Sequence, residues 1–224
     1  HTIEIKLPPG TNGMAPKLAL VYNSNAGNGI AGLGFQLSGL PMITRDTSKG
    51  VNYNGNDTYA GENGRLVNIG GYVYHFEEET FARFEPRGTA GDGPKYWVET
   101  RPDGTRYYYG NYGDNEAPSA NVAAMGKGES VRVWALSRVE DVHGNSYTVE
   151  YDQDEGEYYP VRIYYTRGNG ITTFRTVEFE YENRSDFFPV FSTGSRVQTR
   201  RRLQQIIVKV GVPSIFGFPL PILG

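Results

Sequence analysis

Asn23-Ser-Asn-Ala-Gly-Asn-Gly-Ile-Ala-Gly-Leu-Gly-Phe-Gln-Leu-Ser-Gly-Leu-Pro-Met-Ile-Thr-Arg45 is the stretch on which the fold turns. Gly27, Gly29, Gly32 and Gly34 crowd a short span and permit positive φ or close backbone approach, which a Cβ resists. Leu33, Phe35 and Leu37 then alternate with Gly34, Gln36 and Ser38, the period of a half-buried strand, and the run stops at Pro41. No residue here reads as a nucleophile or general base. The span predicts architecture, with Gly27, Gly29, Gly32, Gly34, Phe35, Pro41 and Arg45 as its structural motif.

Gly27-x-Gly29-x-x-Gly32 also matches a dinucleotide-binding pattern, and Leu18-Ala-Leu-Val-Tyr22 before it reads as a strand. That fingerprint needs a helix opening at its third glycine to receive the pyrophosphate. Here the following residues are glycine-broken, strand-like and halted by proline. No cofactor is expected.

The composition supports a β reading. The chain has 224 residues, with 29 glycines, 13 prolines and 17 tyrosines, a turn-rich and strand-favouring mixture. Its hydrophobic fraction of 38% suits sheets with one wet face. A formal charge of −3 gives no basic excess for nucleic acid. Without cysteine, neither disulfides nor thiolate metal sites can hold the fold. No apolar run is long enough to cross a bilayer as a helix, so no membrane insertion by this chain is expected. Any export signal is expected to lie outside it.

Outward from the glycine stretch, short strands alternate with turns. Thr2–Leu7 and Lys17–Asn23 form a pair about Asn12-Gly13. Strands follow at Arg65–Ile69, Tyr72–Glu77, Thr80–Glu85, Tyr96–Thr100 and Thr105–Tyr109, the last two joined by Arg101-Pro-Asp-Gly104. Residues 110–130 read as the least structured part, with one helical turn at most, over Ala120–Met125. Val131–Asp141 pairs with Ser146–Asp152 so that Val131, Val133, Ala135 and Val139 share a face opposite Tyr147, Val149 and Tyr151. Tyr158–Arg167 and Ile171–Asn183 form a hairpin about Gly168-Asn-Gly170, and Val197–Val210 is a last strand. The expected fold is all-β and mostly antiparallel: a curved sheet or open β-sandwich of about a dozen short strands, with little or no helix.

The run from Gly27 to Leu37, the following Leu40-Pro-Met-Ile-Thr-Arg45 and the lead-in Leu18–Asn23 resemble the SpvB-type N-terminal domain of bacterial virulence proteins and insecticidal Tc toxin B components. Trp134-Ala-Leu-Ser-Arg-Val-Glu-Asp-Val-His-Gly-Asn145 and Arg196-Val-Gln-Thr-Arg-Arg-Arg-Leu203 agree with it, so the resemblance covers residues 1–210. It implies a non-catalytic module of a secreted, extracellular bacterial toxin. Such a module contributes to a β shell for cargo encapsulation or delivery, or docks partners, often with Rhs-type (YD-repeat) sequence downstream. The implied partners are other domains of a larger toxin polypeptide or toxin-complex subunits. The apolar, proline-studded tail, residues 211–224, departs from the family pattern and is expected to dock on a further domain or neighbouring chain.

Other candidate chemistry is sparse. Asp152, Asp154, Glu155 and Glu157 place oxygens around Gly156 in a way that suits calcium, although the full twelve-residue loop pattern is absent and an acidic turn is ordinarily solvated. His1, His75 and His143 lie far apart in sequence, without metal-ligand spacing. Glu178-Phe-Glu180 resembles the Glu-x-Glu of ADP-ribosyltransferases, but Ser192-Thr-Gly-Ser195 follows it, whereas in those enzymes the Ser-Thr-Ser strand comes first. Arg196, Arg200, Arg201 and Arg202 are expected to pair with acidic strand faces. Asn56-Asp-Thr58 and Asn183-Arg-Ser185 are glycosylation sequons. The alternative reading is a carbohydrate- or surface-binding module that uses tyrosines with Trp97 and Trp134 as stacking platforms.

Overall fold

Met42-Ile-Thr-Arg45 carries the glycine-rich stretch into the main sheet. The computed structural model describes residues 1–113, 119–167, 174–212 and 220–221. Before that entry point lie β1 (Thr2–Glu4), a 3-10 turn at Thr11–Gly13, β2 (Ala19–Tyr22), β3 (Asn28–Gly29), β4 (Gly32–Leu33) and β5 (Phe35–Ser38). β1, β2 and β5 form a small antiparallel sheet in which Leu20 faces Ile3 on one side and Leu37 on the other.

The chain then winds as a meander through β6 (Met42–Arg45), β7 (Tyr59–Gly61), β8 (Gly64–Gly70), β9 (Val73–Phe76), β10 (Arg83–Arg87), β11 (Tyr96–Thr100) and β12 (Arg106–Gly110). After β13 (Asn121–Ala123), β14 (Val131–Glu140) pairs with β12 through Tyr107↔Val139 and with β6 through Trp134↔Ile43. That double pairing closes β6–β12 and β14 into an eight-stranded antiparallel barrel. Closure removes the open edges that a curved sheet would leave.

β14 is also the branch point. Its Arg138–Glu140 end pairs with β15 (Ser146–Asp154), starting a ribbon that continues through β16 (Glu157–Arg167), β17 (Phe174–Asn183) and β20 (Arg201–Val212). β18 (Val190–Ser192) and β19 (Ser195–Val197) form a hairpin beside it, and β21 (Leu220–Pro221) pairs with Gly211 and Val212. Having neighbours on both edges and both faces, β14 is buried from Val131 to Ser137. The expected all-β, antiparallel character holds. One wet face does not hold for this strand, because the barrel and the ribbon cover it from opposite sides.

Aromatic rings fill the barrel. Tyr59 from β7, Tyr74 from β9, Trp97 from β11 and Trp134 from β14 meet edge to face, with centroids 4.9 Å apart for Tyr59–Trp97 and 5.4 Å for Tyr59–Trp134. Rings from strands that are not neighbours touch only across an interior. Both tryptophans are 0% exposed. They cannot be stacking platforms, which removes the main support for the carbohydrate-binding alternative.

Other expectations need correction. The described residues hold 21 strands rather than about a dozen short ones: Gly and Pro cut many runs to two to four residues, while β14–β17 and β20 run to nine residues or more. Ala120–Met125 forms no helical turn: Asn121–Ala123 is a strand, with Ala120, Val122 and Ala124 buried against β14. The least-structured reading of 110–130 therefore fails over 120–124. Thr80–Glu85 starts later, at Arg83, after Phe81 takes a positive φ of 59°. The hairpin tip at Gly168–Gly170 and most of the tail lie outside the described residues.

Candidate interaction surface

The motif glycines divide into two kinds. Gly32 and Gly34 have φ of +95° and +77°, and a Cβ on Gly34 would sit 2.6 Å from the Tyr22 ring. Gly27 and Gly29 show neither positive φ nor a close neighbour, so the conformational expectation fails for these two. The turn at Gly34 breaks the run, leaving Leu33 74% exposed instead of half-buried. Phe35 packs on Tyr22 with centroids 5.0 Å apart. Pro41 stands between β5 and β6, by a cleft shared with Tyr107 and Tyr147.

The loop of Gly27–Gly34 is pinned to the ribbon. Arg184 donates to the Gly29 carbonyl at 3.1 Å and forms a two-pronged pair with Asp186, both bonds 2.8 Å. Asp186 in turn accepts from Asn28 Nδ2 at 2.9 Å, and Leu203 N–H donates to the Ile30 carbonyl at 2.7 Å. The bonds from Arg184 and Asn28 hold the Asp186 carboxyl well below the usual carboxylate range.

Arg45 closes one mouth of the barrel. Its guanidinium donates to Asp57 at 2.6 Å, to both Asp92 oxygens at 2.9 and 3.0 Å, and to the Val131 carbonyl through Nε at 2.7 Å. It also lies 4.4 Å from the Tyr53 ring centre. Burial works to raise the Asp92 carboxyl, but bonds from Ser130 and Arg45 outweigh it and leave the group below its ordinary value. The opposite mouth holds Glu99, 3% exposed, which accepts from Tyr109 Oη and from Arg101 Nε. Arg101 lies over the Tyr107 ring at 3.8 Å. Burial, and then the nearby Glu99 charge, push the Tyr109 phenol well up. Each mouth is therefore an ionic plug, its charges engaged with one another.

The acidic turn is arginine-paired. Asp152 meets Arg201 at 2.5 Å, Asp154 meets Arg200 at 3.7 Å, Glu155 meets Arg196 at 3.8 Å and Glu157 accepts from Thr199 at 2.7 Å. These four are not gathered on one point, and among the described residues no three His, Asp or Glu side chains are placed to share an ion. Glu155 and Gly156 are the two positive-φ residues of a tight hairpin joining β15 to β16. The arginine run pairs as expected, with Arg202 on Glu182 at 2.5 Å. Glu178 and Glu180 lie along β17, bonded to Lys209 and Gln205. His75 faces Glu79, and His143 sits in the β14–β15 turn.

Sequence reading passed over a groove of about 890 Å³ beside the Arg184–Asp186 clamp. Arg132, Val133, Thr44, Glu157, Tyr158, Phe187 and Phe188 are among the residues that line it. The apolar cluster Phe187-Phe-Pro-Val-Phe191 was the available signal, since such a run without strand alternation marks an exposed patch. Arg132 gave no signal, because a single arginine inside an apolar strand looks like an outward-facing residue.

Comparison with known proteins places this architecture. Residues 1–70 match the family described as "SpvB: Salmonella virulence plasmid 65kDa B protein". The N-terminal domain of effector protein SpvB from Salmonella typhimurium strain LT2 superposes with a TM-score of 0.78 at 19% identity, covering 97% of this chain and 90% of that one. A TcdB2-TccC3-Cdc42 crystal structure gives 0.75 at 21% identity over 93% of this chain, and the Photorhabdus luminescens Tc holotoxin pore carrying TccC3-D651A gives 0.72 at 21% over 98%. This chain spans 13% of the length of each of those toxin-complex chains. No curated protein matches by sequence. The resemblance to the SpvB-type N-terminal domain read from the glycine stretch is borne out, and the fold is the one these structures share.

Proposed function

We propose that the chain is a non-catalytic structural module of a secreted bacterial toxin or Rhs-like protein. It would form part of a β wall that encloses or delivers a cargo, or docks a toxin-complex subunit. One observation carries this reading: the same fold recurs over 97% of this chain in a domain of similar size and over 93% of it within a chain about seven times as long. A unit that keeps its shape in both settings is suited to building walls. The engaged charges at the two barrel mouths support it, because such plugs favour rigidity over turnover.

On this reading the full product of the gene carries segments that the domain helps enclose. Protease protection of those segments is the test. They should resist trypsin when the domain is present and be cut when it is deleted. Equal cutting in both proteins would overturn the enclosing role, and specific binding of the chain on a glycan array would replace it with surface recognition.

A further inference from the structure

Among the described residues three arginines are buried, and two of them hold a carboxylate. Arg45 holds Asp57 and Asp92, and Arg184 holds Asp186. Arg132, 5% exposed, is the exception. Its Nη2 donates to the Gly156 carbonyl at 2.5 Å, its Nε has no hydrogen-bond partner, and among the described residues it makes no ion pair with a carboxylate. Burial pushes its pKa down, with Glu157 the acid whose field opposes that. Yet the Glu157 oxygens are engaged by Thr199 Oγ1 and Tyr158 N–H. The other acids along the groove are engaged too: Asp46 accepts from Arg65, Ser48 and Thr58, and Asp186 from Arg184 and Asn28. A buried guanidinium ordinarily has a paired counter-charge, since desolvating it alone is costly. Here the place for that counter-charge borders an open groove.

An exposed aromatic patch begins at the groove's edge, where Phe187, Phe188 and Val190 line it, and runs on to Phe191. Phe188 is 67% and Phe191 80% exposed, with Phe187 and Val190 partly exposed beside them. Pro189 separates Phe187 and Phe188 from β18, and the backbone of Val190 and Phe191 is already paired with β19, so the segment offers its rings and little free backbone. An aromatic patch that continues beyond the groove matches a macromolecular segment better than a small molecule.

We propose that this groove docks a protein segment that presents a carboxylate to Arg132 and bulky apolar side chains to the Phe187–Phe191 loop. The segment's acid completes an ion pair that the domain leaves open, and its apolar residues cover the rings. The site is separate from the wall-forming role and is tested on the chain alone.

The probe is a displayed library of random decapeptides selected against the chain, with enriched peptides resynthesised and titrated by fluorescence anisotropy. Enriched sequences should combine Asp or Glu with Phe, Leu or Trp. Replacing the acid by its amide, or Arg132→Gln in the chain, should weaken binding about tenfold or more. Arg132→Lys should retain part of the affinity, and the surface variant Phe188→Ser/Phe191→Ser, which leaves the interior untouched, should also lose it. Enrichment of uncharged or basic peptides, no enrichment, or binding indifferent to Arg132 and to the two phenylalanines each overturns the proposal. So does a dimer in sedimentation that dissociates on Phe188→Ser, which would assign the patch to a second copy of the chain.

Discussion

Arg45 Nη1 lies 2.6 Å from Asp57 Oδ2 with neither side chain reaching solvent, and the same guanidinium holds Asp92 at 2.9 Å. Asp57 also accepts from the backbone N–H groups of Asn52 and Tyr53, so one ion cluster fastens two long loops to β6 and β14. Removing Arg45 strands two acids at the barrel mouth. Arg45→Ala should cost roughly 3–5 kcal/mol, the range for breaking a buried pair from one side. Arg45→Met combined with Asp57→Asn should cost clearly less than the two single changes summed. Urea unfolding of the four proteins checks this, and strict additivity would show the pair to be uncoupled.

The motif glycines should respond unequally. Gly34→Ala puts a Cβ 2.6 Å from the Tyr22 ring at φ +77°, so a loss of about 1–3 kcal/mol is expected. Gly27→Ala meets nothing within 4 Å and should change the melting temperature little. Equal effects in thermal melts would mean that the stretch is not organised by the Gly34 turn.

Acid should loosen the barrel mouth. Asp92 is held below its ordinary 3.8, so its contribution is complete above that value and is lost as pH falls through the lower folded pKa. Asp46 is shifted the same way, burial working against it and bonds from Ser48 and Thr58 prevailing. Stability should fall from about pH 4 downward. Asp92→Asn should be less stable near neutrality and show a shallower acid slope in melts recorded across pH. A slope equal to wild type would remove Asp92 from the acid response.

Alkali acts on the ring cluster with the opposite sign. Burial pushes Tyr59 up to about 12. Its neutral form is favoured in the fold, so this contribution is complete below about 10 and is lost as pH rises through about 12. Tyrosinate absorbance should lag behind that of free tyrosine and then rise together with unfolding. Titration of all seventeen tyrosines near 10 with the fold intact would contradict the buried cluster.

Arg132 should be held at a cost to stability. Burying an unpaired charge is costly, and even buried ion pairs are often replaced by apolar side chains of similar volume without loss of stability. Arg132→Met should therefore unfold at or above the wild-type denaturant midpoint. A loss above about 2 kcal/mol would mean that the bond to the Gly156 carbonyl outweighs the desolvation it accompanies.

The sequence by itself determined the local elements and the resemblance. Tyr96–Thr100 is a strand with the bounds read from its alternation, and Asn12-Gly13, Arg101–Gly104 and Val142–Asn145 are turns where their Pro, Asp, Asn and Gly placed them. These features are set within a few residues, by φ preference and side-chain period, and so are legible along the chain. Tertiary structure decided what depends on distant partners. β14 could be seen as a strand, yet nothing in Val131–Glu140 states that β12, β6 and β15 all pair with it, and that joining is what closes the barrel. Trp97 and Trp134 read equally well as surface platforms or as core, and only closure placed them inside. Asn121–Ala123 has no strand signal of its own and becomes one because β14 offers it an edge. Arg45 and Arg132 are the same residue type on adjoining strands, one neutralised by acids 12 and 47 residues away and one left open to the groove. Electrostatic environment is a sum over neighbours in space, and those neighbours are chosen by the topology.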